Sequence, residues 1–227
     1  MPVGVETLRK LLDPHGLAIA GGFHPIDEDG VPCTAGGRRT ETLYLVANLG
    51  RAMWPAFSRS PEIADRAAHA LDRWTRRVLL SVAQQASATP LYPFGGAPWL
   101  PFQRWAIRGG GVAPSPLGIL IHPEYGLWHA YRGALAFDRR LPLPEADARP
   151  RPCDSCPDRP CLSACPVDAF KPEGYEVAQC RGHVAGPTGE RCRQGGCLAR
   201  LACPIGQGHA YPSAQMAFHM KAFLAGR

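Results

Sequence analysis

Eight of the nine cysteines crowd between Cys153 and Cys203, and Cys33 stands apart from them. They fall into two halves. The first reads Cys153-x2-Cys156-x4-Cys161-x3-Cys165-Pro166, and the second Cys180-x11-Cys192-x4-Cys197-x5-Cys203-Pro204. Thiols this dense either close disulfides or bind metal. The chain opens on Met-Pro-Val-Gly-Val-Glu-Thr-Leu-Arg-Lys, which lacks the basic start and apolar stretch of a secretory signal. The expected compartment is therefore the reducing cytoplasm, and the expected chemistry is metal binding. Zinc sites with four cysteines use knuckles of C-x2-4-C spacing. Iron–sulfur cubanes instead draw on runs of close thiolates and a more distant one. A Cys-Pro dipeptide closes both halves here, and the first closes on Cys161-x3-Cys165-Pro166, a step zinc ribbons do not usually carry. That favours iron and sulfide, with paired zinc sites as the alternative. Cys33, alone in a Gly- and Pro-rich stretch, reads as an inert small hydrophobe.

The two halves resemble the bacterial dicluster ferredoxins, whose C-x2-C-x2-C-x3-C-P run sends its fourth cysteine to the other cluster. The resemblance implies two [4Fe-4S] clusters with exchanged ligands. One would rest on Cys153, Cys156, Cys161 and the distant Cys203; the other would take Cys165, Cys180, Cys192 and Cys197. The stretch Cys165-Pro-Val-Asp-Ala-Phe170 also matches the small and apolar residues that follow Cys-Pro in ferredoxins. Two departures bear on how the ligands divide. Pro157-Asp-Arg-Pro160 fills a gap that holds two residues in ferredoxins, and the second half is looser than theirs.

A second candidate is Ser115-Pro-Leu-Gly-Ile-Leu-Ile-His-Pro-Glu-Tyr-Gly-Leu-Trp-His-Ala-Tyr-Arg-Gly133. At His122, Pro123, Gly126, Trp128, Ala130, Arg132 and Gly133 it resembles the HP-x-F-G-G-W-F-A-I-R-G stretch of cobalamin-processing proteins of the cblC type. That resemblance implies a nitroreductase-like α/β sandwich. It also implies cobalamin or a related corrinoid held near His122, Trp128 and Arg132, with Arg132 where that family handles its thiol co-substrate. The domain order is similar to that of epoxyqueuosine reductases and reductive dehalogenases. In those proteins a cblC-like corrinoid domain precedes a dicluster ferredoxin module, and a cysteine like Cys180 sits well ahead of the last cysteine group. No residue matches the catalytic acid of epoxyqueuosine reductase, so catalytic residues stay unassigned and its substrate is not carried over. Plainer readings stand beside these: His122 as a turn residue, Trp128 and Tyr131 as strand residues, and Arg132 paired with Glu124 across a hairpin.

The elements that must position these residues give an α+β chain. Residues 1–148 read as a nitroreductase- or cblC-like α/β domain, 149–212 as a small ferredoxin-like module, and 213–227 as a C-terminal helix. That helix carries Met216, Met220 and Phe223 and is expected to dock on the body. Leu17–Ala20 and Thr42–Val46 are runs of strand type. A helix is expected from Ser60, with Pro61 at its first position and an apolar stripe of Ile63, Ala67, Leu71, Trp74, Val78 and Val82. Arg66, Arg73 and Arg77 fall on its other side and read as a solvated face. Trp99, Phe102 and Trp105 fit a helical core patch. Gly118–Ile121 and Leu127–Phe137 read as paired strands around His122–Gly126. Gly109–Gly111 reads as a loop rather than a nucleotide cradle.

Composition narrows the function classes. The 227 residues include 25 glycines and 24 prolines, which point to many turns and short elements. The formal charge is +6, carried almost wholly by arginine, since only Lys10, Lys171 and Lys221 are lysines. Two oxidised cubanes on four thiolates each would subtract about four charges. Without a run of like charge, neither a nucleic-acid arm nor a membrane arm is expected. Nucleophile elbow, zincin, phosphate-loop and dinucleotide motifs are all missing. The expected function is iron–sulfur electron transfer to a corrinoid or small-molecule substrate. A ferredoxin, flavodoxin or reductase would be the donor. The rival is a non-catalytic electron carrier whose N-terminal domain docks a partner enzyme.

Overall fold

The computed structural model describes residues 4–145 and 147–226; residues 1–3 and 227, the outer ends of the expected domains, lie outside the described residues. In chain order the elements begin with α1 (Val5–Leu12), β1 (Leu17–Phe23), β2 (Thr42–Leu49), α2 (Trp54–Phe57), α3 (Pro61–Ala64), α4 (Ala70–Ala86), β3 (Thr89–Leu91) and α5 (Phe102–Gly109). Then come β4 (Ala113–Pro114), β5 (Leu120–Ile121), β6 (His129–Phe137), α6 (Pro160–Ser163), β7 (Phe170–Lys171) and β8 (Gly174–Tyr175). The last four are α7 (Val177–Ala185), α8 (Glu190–Gly195), α9 (Leu198–Leu201) and α10 (Ser213–Ala225). The chain forms two compact units, Met1–Gly111 with His129–Ala148, and Val112–Trp128 with Arg149–Arg227. The expected division at residue 148 differs in one respect. The segment from Val112 to Trp128, read as part of the first domain, belongs to the second unit.

The first unit is a mixed α/β body on a four-stranded antiparallel sheet of order β1-β2-β6-β3. The runs at Leu17 and Thr42 are strands, each longer than expected. Every residue of β2 from Thr42 to Asn48 is buried, because helices cover both faces of the sheet. Leu43, Leu45, Ala134 and Ala136 meet Phe102 and Trp105 of α5. On the other face Tyr44 meets Phe137 edge-on, and Gly133 lies against Leu79 of α4. Leu71, Trp74, Val78 and Val82 are the buried stripe of α4, as their spacing predicts.

Three expectations require correction. No single helix begins at Ser60: α3 ends at Ala64, and Arg66 and His69 both take φ of 57° before α4 starts. The cause is Asp65, whose carboxylate accepts the Ala67 N–H at 2.8 Å and both Arg73 Nη groups at 2.7 Å. Arg66 and Arg77 are exposed and Arg73 half-exposed, as a solvated face requires, and Arg77 also donates to buried Glu62 at 2.5 and 3.0 Å. The strands flanking His122–Gly126 do not pair with each other: β5 pairs with β4, and β6 pairs with β2 and β3. Finally, Phe102 and Trp105 are buried but Trp99 is 68% exposed. The glycine run at 109–111 closes the C-terminal end of α5, where free carbonyls rather than N–H groups face outward, so it cradles no phosphate.

In the second unit two short hairpins, β4–β5 and β7–β8, accompany five short helices. The terminal helix α10 packs on α8 and α7. Gly196 accepts it closely, since a Cβ there would meet the Met216 side chain. No helix among the described residues is long and apolar enough to cross a membrane.

Candidate functional site

The cysteines of the second unit gather by mutual proximity, and the gathering cuts across sequence order. Burial pushes the Cys153 thiol up, and so do its neighbours Cys203, Cys161 and Cys156. Cys161 is raised first by burial and then by Cys203 and Cys156; Cys203 is raised by burial and by Cys156. These four form one group. Cys192 and Cys197 are each raised first by burial and then by Cys180 and Cys165. These four form the other. Each group thus takes three cysteines from one half of the motif and one from the other half. Cys161 lies within α6 and Cys165 just beyond its end, while α9 separates Cys197 from Cys203.

Around the sulfurs the backbone presents N–H groups. Ala169 N donates to Cys165 Sγ at 3.3 Å. The N–H groups of Leu162, Leu198 and Ile205 pull Cys161, Cys192 and Cys203 back down, and those of Arg200 and Ala199 do the same for Cys197. His183 Nε2 lies 3.7 Å from Cys192 Sγ. The second group lines a cavity of about 220 Å³, walled by Phe170, Tyr175, Val184, Leu198, Met220 and Phe223 among others. Phe170 stacks on Tyr175, whose ionisation is suppressed first by burial and then by its hydrogen bond with Cys180. Cys161 and Cys203 of the first group are buried under Ala113, Leu117, Ile121 and Leu127, with Cys153 packed alongside. Among the described residues no three His, Cys, Asp or Glu side chains are placed to hold a single metal ion. Cys33 is an exposed free thiol in the first unit.

The three residues expected near a corrinoid do not share a unit. His122 and Trp128 lie in the second, Arg132 in the first. His122 Nδ1 accepts the Glu124 and Tyr125 N–H groups at 3.0 and 3.3 Å, and its backbone exchanges two hydrogen bonds with Gly126. The turn so formed rests on the chain after Cys203. Gly126 (φ 55°) abuts the Ile205 carbonyl so closely that a Cβ would collide with it, and the Tyr125 ring lies tilted against His209. Trp128 is buried, edge-on to Tyr211, and its indole N–H has no hydrogen-bond partner among the described residues. Arg132 pairs with Asp72 at 2.9 Å rather than with Glu124, which pairs with Arg149. A β-bulge explains the re-aiming of Arg132. Val46 opposes Gly133 while Ala47 opposes Tyr131, so the register steps past Arg132, whose side chain turns toward α4.

Sequence reasoning missed His183, Tyr175 and the Arg200 N–H beside the thiols. Only Arg200 carried a signal, standing three residues from both Cys197 and Cys203.

No family model and no curated protein sequence matches the chain. Among solved structures it is similar to epoxyqueuosine reductase from Streptococcus thermophilus, at 17% identity over 93% of this chain and 68% of that one, with a TM-score of 0.51. A selenomethionine-labelled epoxyqueuosine reductase gives 16% over 78% of this chain and 52% of that one, with a TM-score of 0.48. The C. elegans B12-trafficking protein CblC, a human MMACHC homologue, gives 13% over 95% and 91%, with a TM-score of 0.43. The first likeness is one of fold; the other two carry no argument. The chain spans about half the length of the selenomethionine-labelled enzyme.

Proposed function

We propose that the protein is an iron–sulfur electron-transfer protein holding two [4Fe-4S] clusters. One rests on Cys153, Cys156, Cys161 and Cys203, the other on Cys165, Cys180, Cys192 and Cys197. The observation that carries this reading is the gathering of eight thiols into two groups of four with one member exchanged. A cavity of about 220 Å³ inside the second group suits a cubane better than a single ion.

Each bound cluster would supply one-electron redox chemistry. The chain's own part is separate. The thiols give up their protons on loading, because a bound metal outweighs the burial that raises them. The N–H groups of Leu162, Ala169, Leu198, Ala199, Arg200 and Ile205 offset negative charge on the sulfurs and so favour the reduced state. Apolar walls from Phe170, Val184, Leu198 and Phe223 keep water from the second group. A ferredoxin, flavodoxin or reductase would donate electrons, and a reducing cytoplasm would keep the thiols free.

A corrinoid does not fit the residues expected to hold it. His122 is spent on its own turn, Trp128 is buried against Tyr211, and Arg132 is tied to Asp72. No step is therefore routed through one. Those commitments favour the second reading, a carrier without chemistry of its own whose first unit docks a partner enzyme. Hydroxocobalamin titration separates the two readings: a stoichiometric spectral change returns the corrinoid, and a flat titration favours the carrier.

The clusters themselves are tested by iron and acid-labile sulfide on anaerobically purified protein. About eight of each, with a broad visible band that dithionite bleaches, is the expected result. Zinc without sulfide overturns the reading.

A further inference from the structure

The β7–β8 hairpin lies between Cys165 and Cys180, two members of the second thiol group that come from different halves of the motif. Each end of the hairpin is tied down beside its cysteine. At the start, Ala169 N donates to Cys165 Sγ at 3.3 Å. At the close, Glu176 N donates to the Ala169 carbonyl at 2.8 Å, and Cys180 N donates to the Glu176 carbonyl at 3.1 Å. Phe170 and Tyr175 are partners in the strand register, so their side chains stand on one face. Their rings stack with centroids 4.9 Å apart and planes 11° from parallel. Both rings line the cavity shared by Cys165, Cys180, Cys192 and Cys197. The stack fixes where the Tyr175 ring lies, and from there its hydroxyl bonds Cys180. The charges that act on that hydroxyl are those of Cys180, Cys197 and Cys165, all three of the second group.

We propose that Tyr175 is a positioning residue whose hydroxyl donates a hydrogen bond to the Cys180 sulfur and so raises the reduction potential of the second cluster alone. The proposal rests on the two-cluster reading above. Three features support it. Burial and the neighbouring thiols suppress ionisation of the phenol, so it stays a donor. Reduction adds an electron that the cluster shares with its sulfurs, and a donor facing one of them is worth more after that electron arrives than before. The ring is held by Phe170 and by a hairpin fastened at both ends, so the donor is in place in either oxidation state. The net worth of one hydrogen bond corresponds to about a fivefold change in an equilibrium.

The test compares Tyr175→Phe and Phe170→Leu with the wild type in the full chain, by redox titration followed by EPR, with iron and sulfide counted for each. The signal that survives in Cys203→Ala identifies the second cluster. Tyr175→Phe keeps the ring and its stack but removes the donor. It should move the second midpoint potential negative by about fivefold in the reduction equilibrium, or about 40 mV for one electron, and leave the first in place. Phe170→Leu keeps the hydroxyl but frees the ring, and should give a smaller shift of the same sign in the second cluster. A purely structural role for the aromatic pair predicts otherwise: Tyr175→Phe changes nothing, and Phe170→Leu loses cluster without shifting what remains. An unshifted second potential in fully loaded Tyr175→Phe overturns the proposal, and so does an equal shift of both potentials. If Tyr175→Phe does not load, an unshifted second potential in Phe170→Leu overturns it. Loss of the second cluster from both variants overturns it as well, since the hairpin then holds the cluster rather than tuning it. Wild-type protein without sulfide fails the two-cluster reading instead, and the metal count tells the two failures apart.

Discussion

Cys165 and Cys203 are the residues that cross between the two halves of the cysteine motif, so they report on how the ligands divide. Cys203 lies among Cys153, Cys156 and Cys161, while Cys165 lies among Cys180, Cys192 and Cys197. Cys203→Ala should therefore strip the first group and leave about half the iron, with the EPR signal of the second group intact. Cys165→Ala should do the converse. If Cys203→Ala empties the Cys180 group instead, the partition is reversed. In the first unit, Glu62 is held below the usual carboxylate range chiefly by its hydrogen bonds from Arg77, which outweigh the opposing effect of burial. Its folded-state value is thus lower than its unfolded one. The stability it contributes is present above the ordinary glutamate range and is lost as pH falls from there through its depressed value. Urea melts between pH 7 and pH 3 should show that loss in the wild type and a flatter profile in Glu62→Gln. A parallel slope in both overturns the assignment. The cysteines were legible in the sequence because type and spacing alone narrow their chemistry. The partners of Arg132 were not, because Asp72 is remote in sequence and a bulge, which no local pattern announces, turns the arginine toward it.

At the scale of elements, α4 follows from its apolar periodicity and β1 and β2 from their apolar runs, and the failures lie where a polar side chain redirects the backbone. The apolar stripe runs through Ile63 and Ala67 without interruption on paper, yet Asp65 gathers the Ala67 N–H and the Arg73 fork and ends the helix there. The His122–Gly126 turn is the second such place. Its strands looked like partners because both are apolar and the turn between them is short. The structure instead gives β5 to β4, and the turn becomes a brace for the chain after Cys203-Pro204. Gly126 is required twice over, by its φ of 55° and by the Ile205 carbonyl against it. Gly126→Ala should cost on the order of 2–3 kcal/mol. Because Ile205 also presents its N–H to Cys203, the same change should loosen the first cluster before the second. The check is a thermal melt alongside the order in which two EPR signals decay in air. Equal decay of both signals would separate the turn from the first thiol group.

The whole chain is divided otherwise than its sequence suggests, and the difference has a consequence for dissection. A boundary at residue 148 looks natural because Pro, Arg and Asp residues thicken there and the cysteines begin just after. The second unit, however, reaches back for Val112–Trp128. The cover over the first thiol group comes from that borrowed segment, through Ala113, Leu117, Ile121 and Leu127. The cavity of the second group is walled entirely by residues from Cys165 to Phe223. A polypeptide of residues 149–227 alone should therefore treat its clusters unequally. The second should load anaerobically to near full occupancy, with its walls complete. The first should load poorly or vanish within minutes of exposure to air, because its apolar cover is missing and water and oxygen reach the sulfurs. Restoring Val112–Trp128 ahead of residue 149 through a flexible linker should recover the first cluster. Removing a cover of four apolar side chains exposes a surface worth several kcal/mol at about 25 cal/mol per Å², so the asymmetry should be plain in iron counts as well as in spectra. Two clusters of equal stability in the 149–227 polypeptide would mean that the hairpin is dispensable to the thiol group it covers.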